Sequence, residues 1–172
     1  MKKQIISKSG FTLIELLIYI GIVSFVVIAV TIFTWEVIAG KIKNETIAEL
    51  NSNISLVNDR IQLSVDNARS VTIPSPKGSS GQTLTLVTSG GSTTTYSLVD
   101  GAIFVSENGG ANSLLTSSKV LITNLTFINL SRDNSPGIVR LQFDIEYINS
   151  SNKQEYDTHE TYDNSFSLRP NL

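Results

Sequence analysis

The amino-acid sequence predicts an α+β protein in which one long N-terminal helix packs on an antiparallel β-sheet. Two observations lead to this fold class. The first is a long apolar run followed by an amphipathic segment, with no proline before residue 74. The second is a series of short segments in the rest of the chain that alternate polar and apolar residues between glycine-rich turns.

Composition limits the chemistry that the chain can perform. The 172 residues allow one domain and an appendage. The absence of cysteine excludes disulfides and thiolate metal sites, and His159 is the only histidine. A formal charge of −2 gives no general affinity for nucleic acid. We therefore expect no enzyme activity, no cofactor, no metal, no nucleic acid and no small-molecule substrate.

The apolar run is long enough to cross a membrane. From Phe11 to Trp35 the chain has 25 residues, and Glu15 is their only formal charge. A helix of that length spans about 37 Å, whereas the hydrocarbon core of a bilayer is about 30 Å thick. A secretory signal peptide is the alternative, but its apolar stretch lasts only about 7–15 residues and ends at a small-residue cleavage site.

The basic residues around this run indicate an orientation. Lys2, Lys3 and Lys8 precede it, which predicts a cytoplasmic N-terminus and an exported C-terminal region. Lys41 and Lys43 flank the other end and count against that orientation.

The residues GFTLIELL, from Gly10 to Leu17, resemble the processing site of type IV prepilins and type II secretion pseudopilins. In that family a membrane peptidase cuts after the glycine and methylates the new N-terminal residue. The resemblance implies that Met1–Gly10 is a leader peptide, that Phe11 becomes the methylated N-terminus, and that Glu15 is the fifth mature residue. An ordinary signal anchor with a stray glutamate is the alternative.

The same resemblance implies a role for Glu15 and a set of partners. A lone carboxylate inside a bilayer costs roughly 2.5–3.5 kcal/mol, so such a group usually has a functional partner. In the family that partner is the free amine of a neighbouring subunit, which here would be the amine of Phe11. The implied partners are a prepilin peptidase, other pilins or pseudopilins and the inner-membrane assembly platform, and the implied location is the inner membrane with a single pass.

An amphipathic helix is predicted to continue beyond the membrane segment. Apolar residues recur there every three or four positions, which gives the stripe Ile47, Leu50, Ile54, Val57, Ile61, Val65 and Ala68. Pro74 and Pro76 forbid further helix, so we expect one helix from Phe11 to about Arg69. The stripe is expected to pack on the sheet, and a groove for a partner is the alternative.

The rest of the chain is predicted to form strands. The expected segments are Thr83–Thr88, Thr93–Val99, Ala102–Val105, Val120–Leu130, Ile138–Ile148 and a last strand that includes Phe166–Leu168. Asp100-Gly101 is the dipeptide expected in a type I′ turn. The predicted organisation is a leader (1–10), a transmembrane half of the helix (11–39), an amphipathic half (40–70) and an exported β-sheet region (71–172), which is the lollipop form of a pilin.

Three further features have plainer interpretations than a functional site. The pairs Gly90-Gly91 and Gly109-Gly110 lack the context of a phosphate loop and are expected in turns. His159 has no second histidine or cysteine near it and is expected to be exposed. Asp133 and Asn134 offer oxygen ligands, as some major pseudopilins do for calcium, but there are too few carboxylates for a cage.

These observations predict a structural subunit of a type IV pilus-like filament or a type II secretion pseudopilus. A minor, tip or initiating subunit is favoured because the membrane half lacks proline, the C-terminal region lacks cysteine and many strands are expected. The alternative is a membrane-anchored extracellular binding module, such as an adhesin or a DNA-uptake tip subunit.

Overall fold

The structure is a computed structural model that describes residues 10–132, 137–150 and 152–169. The chain divides into two compact units, Met1–Lys41 and Ile42–Leu172. In the first unit the described secondary structure is helical, and no proline interrupts it. In the second unit the rest of the helix packs against strands.

The elements follow one another in a simple order. Helix α1 spans Leu13–Asn67. The strands are β1 (Ala68–Ile73), β2 (Ser80–Gly81), β3 (Thr83–Thr88), β4 (Thr93–Val99), β5 (Ala102–Glu107), β6 (Ser113–Leu114), β7 (Val120–Asn129), β8 (Ile138–Tyr147) and β9 (His159–Ser167). A 3₁₀ turn at Gln154–Tyr156 lies between β8 and β9.

These strands form two antiparallel sheets. Sheet A has five strands in the order β1-β3-β4-β5-β6, and sheet B has four in the order β2-β7-β8-β9. In sheet A, Thr85 lies opposite Thr95, and Thr95 lies opposite Ser106. In sheet B, β8 pairs with β7 on one side and with β9 on the other, from Ile138 opposite Ser167 to Glu146 opposite His159.

The core of the second unit lies between the helix and both sheets. The fully buried helix residues are Leu50, Val57 and Ile61, with Val65 only 1% exposed. They belong to one cluster with residues of sheet A (Leu84, Leu86, Tyr96, Ile103) and of sheet B (Ile122, Phe127, Leu141, Phe143, Ile145). The predicted stripe is therefore confirmed as core, since its members at positions 47 and 54 are half-buried and the others are buried.

Polar contacts connect the same helix to each sheet. The buried Tyr96 hydroxyl of sheet A donates to the carbonyl of Arg60 at 3.1 Å and lies 2.6 Å from the Ser64 hydroxyl. Burial raises the pKa of Tyr96, so this hydroxyl keeps its proton. From sheet B, Asn164 donates to the side-chain oxygen of Asn58 at 2.9 Å, and the Tyr162 hydroxyl contacts the same oxygen.

The predicted α+β class, the single long helix and the expected strands are confirmed, but three details differ. Two sheets form instead of one, because alternation fixes which face of a strand is buried and not which strands pair. Strands β1, β2 and β6 were not predicted, because two register irregularities interrupt the alternation of β1 and because β2 and β6 have only two residues each. The last strand, β9, does include Phe166 as predicted, but it starts earlier, at His159, and ends at Ser167, one residue before Leu168.

The predicted type I′ turn between β4 and β5 is confirmed. Its two central residues, Asp100 and Gly101, have φ angles of +49° and +76°. The carbonyl of Gly101 also accepts a hydrogen bond from the Ile122 N–H of sheet B at 2.7 Å. A Cβ at Gly101 would lie 2.1 Å from Leu121 Cδ1, so this turn is close-packed against the second sheet.

The replacement Gly101→Ala should therefore destabilise the second unit. A side chain at this φ is strained by roughly 1 kcal/mol, and the displacement of Leu121 should add about 1–3 kcal/mol. The matched control is Gly109→Ala, which has a φ of +69° but no neighbouring atom within 4 Å of the new Cβ. Thermal unfolding of the two variants in detergent measures the difference, and equal losses would contradict the close packing.

The buried stripe gives a second prediction. Ile61 is fully buried, so Ile61→Asp should cost roughly 3–5 kcal/mol through lost packing and an unpaired charge. Leu63→Asp on the same helix should cost little, because Leu63 is 54% exposed. Chemical denaturation of both variants compares them. If Ile61→Asp unfolds at the wild-type denaturant concentration, the stripe is not core.

Candidate functional site at the start of the helix

The three predicted site residues lie around the first turn of α1. Gly10 and Phe11 precede the helix, are exposed and have no regular secondary structure. Helix α1 begins at Leu13, so Glu15 is its third residue. The peptide bond between Gly10 and Phe11 is thus outside the helix, and the carboxylate of Glu15 is on an exposed part of its first turn.

Thr12 sets the position of this helix start. Its carbonyl accepts a hydrogen bond from the Leu16 N–H at 3.1 Å, and its hydroxyl accepts one from the Glu15 N–H at 3.3 Å. A threonine that bonds the third helical N–H is an N-cap. Sequence reasoning missed this role, although Thr12-Leu-Ile-Glu15 has the spacing of a capping box in front of an apolar run.

The helix dipole favours a carboxylate at this position. Glu15 is the acidic residue in the first turn of α1, where the free N–H groups create a partial positive charge. Phe11 lies close by, with its ring edge-on to Tyr19 at a centroid distance of 5.8 Å, and is still 74% exposed. Phe11 is therefore accessible in the single chain.

The helix around this site presents apolar side chains in every direction. Among residues 13–38, the large apolar side chains are 45–77% exposed, with Ile38 and Leu13 at the two limits. The Thr31 and Thr34 hydroxyls each donate to a carbonyl four residues earlier at 2.8 Å, so neither needs water. Within the described ranges, α1 is the one helix long and apolar enough to cross a membrane.

In the second unit, a polar cluster joins the helix to the segment between β6 and β7. We name it the Glu49 cluster; it comprises Glu49, Asn53, Ser117 and Lys119. The buried Asn53 accepts the Ser117 N–H at 2.7 Å, and the Ser117 hydroxyl donates to Glu49 at 2.8 Å. The Lys119 ammonium lies 3.5 Å from the other Glu49 oxygen. These contacts attach the helix to the segment between β6 and β7.

The hydrogen bond from Ser117, followed by those from Asn53 and Lys119, lowers the pKa of Glu49 below its ordinary value of 4.5, although partial burial opposes the shift. Because the pKa of Glu49 is lower in the folded than in the unfolded chain, its ionised form stabilises the fold at pH values above the ordinary pKa. This contribution is lost as the pH falls through the folded-state pKa. Sequence reasoning did not find this cluster, because the residues that meet across it are 64 to 70 positions apart in the chain.

Replacing Ser117 should therefore have a pH-dependent effect. Ser117→Ala should cost about 1 kcal/mol at pH 7, and the loss should shrink below about pH 4.5 as Glu49 becomes protonated. Ser118→Ala is the control, since Ser118 is exposed on the same segment. Thermal unfolding between about pH 7 and pH 3 tests this. A loss for Ser117→Ala that is the same at both ends of the range would contradict the assignment.

The other features considered in the sequence do not form a metal site in the described residues. His159 is exposed in β9, as expected, and Gly90-Gly91 and Gly109-Gly110 lie in turns or bends. Among residues 10–132, 137–150 and 152–169, no group of three or more His, Asp or Glu side chains could hold a metal ion. Asp133 and Asn134, which were considered for calcium, lie outside the described residues.

Residues 6–31 match the prokaryotic N-terminal methylation motif, the signature of type IV pilins and pseudopilins. The matched range contains Gly10, Phe11 and Glu15 and ends inside the apolar half of α1. No curated protein and no solved structure matches the chain. The chain thus carries a pilin-type signature on an α+β fold with one long N-terminal helix, which fits a membrane-anchored single-pass protein.

Proposed function

We propose that this chain is a structural subunit of a type IV pilus-like filament or a type II secretion pseudopilus. The observation that carries the proposal is the methylation motif at residues 6–31, on an apolar helix with an exposed carboxylate in its first turn. The motif implies processing by a prepilin peptidase and assembly with other pilins. It is the motif of structural proteins and not of enzymes, so we infer that the chain has no catalytic role.

Cleavage is proposed between Gly10 and Phe11, with methylation of the Phe11 amine. Proteases bind their substrates as extended chains, and this peptide bond lies before the capped start of the helix at Leu13. Removal of residues 1–10 would also remove Lys2, Lys3 and Lys8. Ten basic residues would then remain against fifteen acidic ones, a formal charge of −5, which continues to disfavour nucleic acid as a partner.

Glu15 is proposed to bind the N-terminal amine of a neighbouring subunit. Cleavage creates this amine at Phe11, and the partner carboxylate lies on the exposed surface of the first helical turn. Both charges would be costly alone in a bilayer, and pairing them removes most of that cost. The ion pair would therefore favour assembled over separate subunits in the membrane.

A minor subunit, at the tip or in the initiating complex, is the role we favour. The support is compositional: the membrane half of α1 has no proline, the second unit has no cysteine, and two sheets of five and four strands follow the helix. We further propose an inner-membrane location with the N-terminus in the cytoplasm and the second unit exported, because the first three lysines precede the apolar run.

The replacement Glu15→Leu tests the docking role. It should leave membrane insertion and removal of the leader unchanged, because the carboxylate is not at the scissile bond. Incorporation into filaments should fall about a hundredfold or more, since stranding the partner ammonium costs about 3–5 kcal/mol. The readout is co-purification of the full-length variant with partner pilins from membranes that also contain the peptidase.

Glu36→Leu is the matched control, because it removes the other glutamate from the membrane half of the same exposed helix surface. We expect this variant to assemble like the wild type. If Glu15→Leu is incorporated as efficiently as Glu36→Leu, the carboxylate is only a tolerated charge and the docking role is wrong.

A further inference from the structure

Two carboxylates bracket the uncharged part of the first half of α1. Glu15 and Glu36 are both exposed, and the 20 residues between them, 16–35, carry no formal charge. From Glu15 to Glu36 a helix rises about 32 Å, at 1.5 Å per residue. The hydrocarbon core of a bilayer is about 30 Å thick. The distance between the two carboxylates along the helix is therefore that of one crossing.

Neither of these two glutamates has a cationic neighbour on its own helix face. Side chains three or four positions apart are neighbours on a helix surface. Around both Glu15 and Glu36, the positions three and four residues away hold only uncharged side chains. A carboxylate with no counter-charge is costly inside hydrocarbon. Each glutamate of the separate chain therefore favours a place at which it keeps contact with water.

The residue that precedes Glu36 favours the same boundary. Trp35 is the only tryptophan of the chain and is 69% exposed. Tryptophan is enriched at membrane–water interfaces, because its ring is apolar and its indole N–H needs a hydrogen-bond acceptor. One turn earlier, the hydroxyls of Thr31 and Thr34 already donate to helix carbonyls at 2.8 Å, so both residues can lie in hydrocarbon. The change from satisfied to unsatisfied polar groups thus falls at Trp35 and Glu36.

We propose that Trp35 and Glu36 bind the headgroup region of one leaflet of a phospholipid bilayer, while Glu15 lies in the headgroup region of the other leaflet. Residues 16–34 then cross the hydrocarbon, and lipid acyl chains cover their exposed apolar side chains. This inference rests on the proposed membrane location but not on the assembly role. In this position the Glu15 carboxylate stays at the edge of the hydrocarbon, where it keeps its water until an opposite charge binds it.

The alternative is a boundary at residue 39, where the expected transmembrane half ends. Val37, Ile38 and Ala39 are apolar, so hydropathy alone allows this longer segment. It would place Trp35 about 6 Å inside the hydrocarbon and would bury the charge of Glu36 with it. Because that charge has no counter-charge on its helix face, we favour the boundary at Trp35.

The single tryptophan makes the depth of position 35 measurable. The full-length chain would be reconstituted in bilayer discs of phosphatidylcholine and phosphatidylglycerol that carry bromine either near the headgroup or near the end of the acyl chain. Trp35 fluorescence should be quenched at least about twofold more by the shallow bromine than by the deep one. The matched control is Phe25→Trp combined with Trp35→Phe, because Phe25 is 74% exposed and lies midway between Glu15 and Trp35. Its tryptophan should be quenched more by the deep bromine.

Three other results would be informative in different ways. If the deep bromine quenches Trp35 as strongly as the shallow one, the boundary lies further along the helix and the proposal is wrong. If neither bromine quenches Trp35, another protein surface covers it instead of lipid, which also overturns the proposal. If the wild-type chain does not enter the discs at all, the proposed membrane location itself is rejected.

A second measurement tests the end that carries Glu15. Because the chain has no cysteine, Leu13→Cys and Phe25→Cys each introduce a single thiol, at positions that are 77% and 74% exposed in the wild type. A thiol reacts as its thiolate, which forms in water and not in hydrocarbon. In discs that are open to water on both faces, a charged maleimide should label Leu13→Cys at least about tenfold faster than Phe25→Cys. Equal protection of the two thiols would place the Glu15 end inside the hydrocarbon and overturn the proposal.

Discussion

The first half of α1 has an apolar surface that the chain itself leaves uncovered. Between Leu13 and Ile38, the described large apolar side chains are all at least 45% exposed within the chain. Burial of such side chains is worth about 1.5–3 kcal/mol each, so this surface cannot remain in water. A surface of this kind fits a membrane anchor, and it is the setting in which we propose that Glu15 binds an opposite charge.

The second half of the same helix, in contrast, buries its apolar residues within the chain. There the apolar residues form one stripe, and the two sheets bury it together with polar contacts from Tyr96 and Asn58. The Glu49 cluster adds a link between the helix and the segment that leads from sheet A to sheet B. Residues in the second half of α1 are therefore fixed by the fold, whereas residues in the first half are available to partners.

Periodicity in the sequence was sufficient for the helix, its buried stripe and most strands, because each of these depends on neighbours in the chain. The division into two sheets was not accessible, since strand pairing depends on contacts between distant residues such as Ser80 and Ile128. At the candidate site, the positions of Gly10, Phe11 and Glu15 followed from the motif. The N-cap role of Thr12 could have been read from its spacing to Glu15, whereas the Glu49 cluster could not.

Mass spectrometry of the N-terminus would show whether this helix is processed for assembly, as we propose. The full chain would be produced in membranes together with a prepilin peptidase and its partner pilins, and then recovered from assembled filaments. We expect a polypeptide that has lost its first ten residues and begins with N-methylated Phe11. Assembled material that retains the leader, or that begins at another residue, would contradict it.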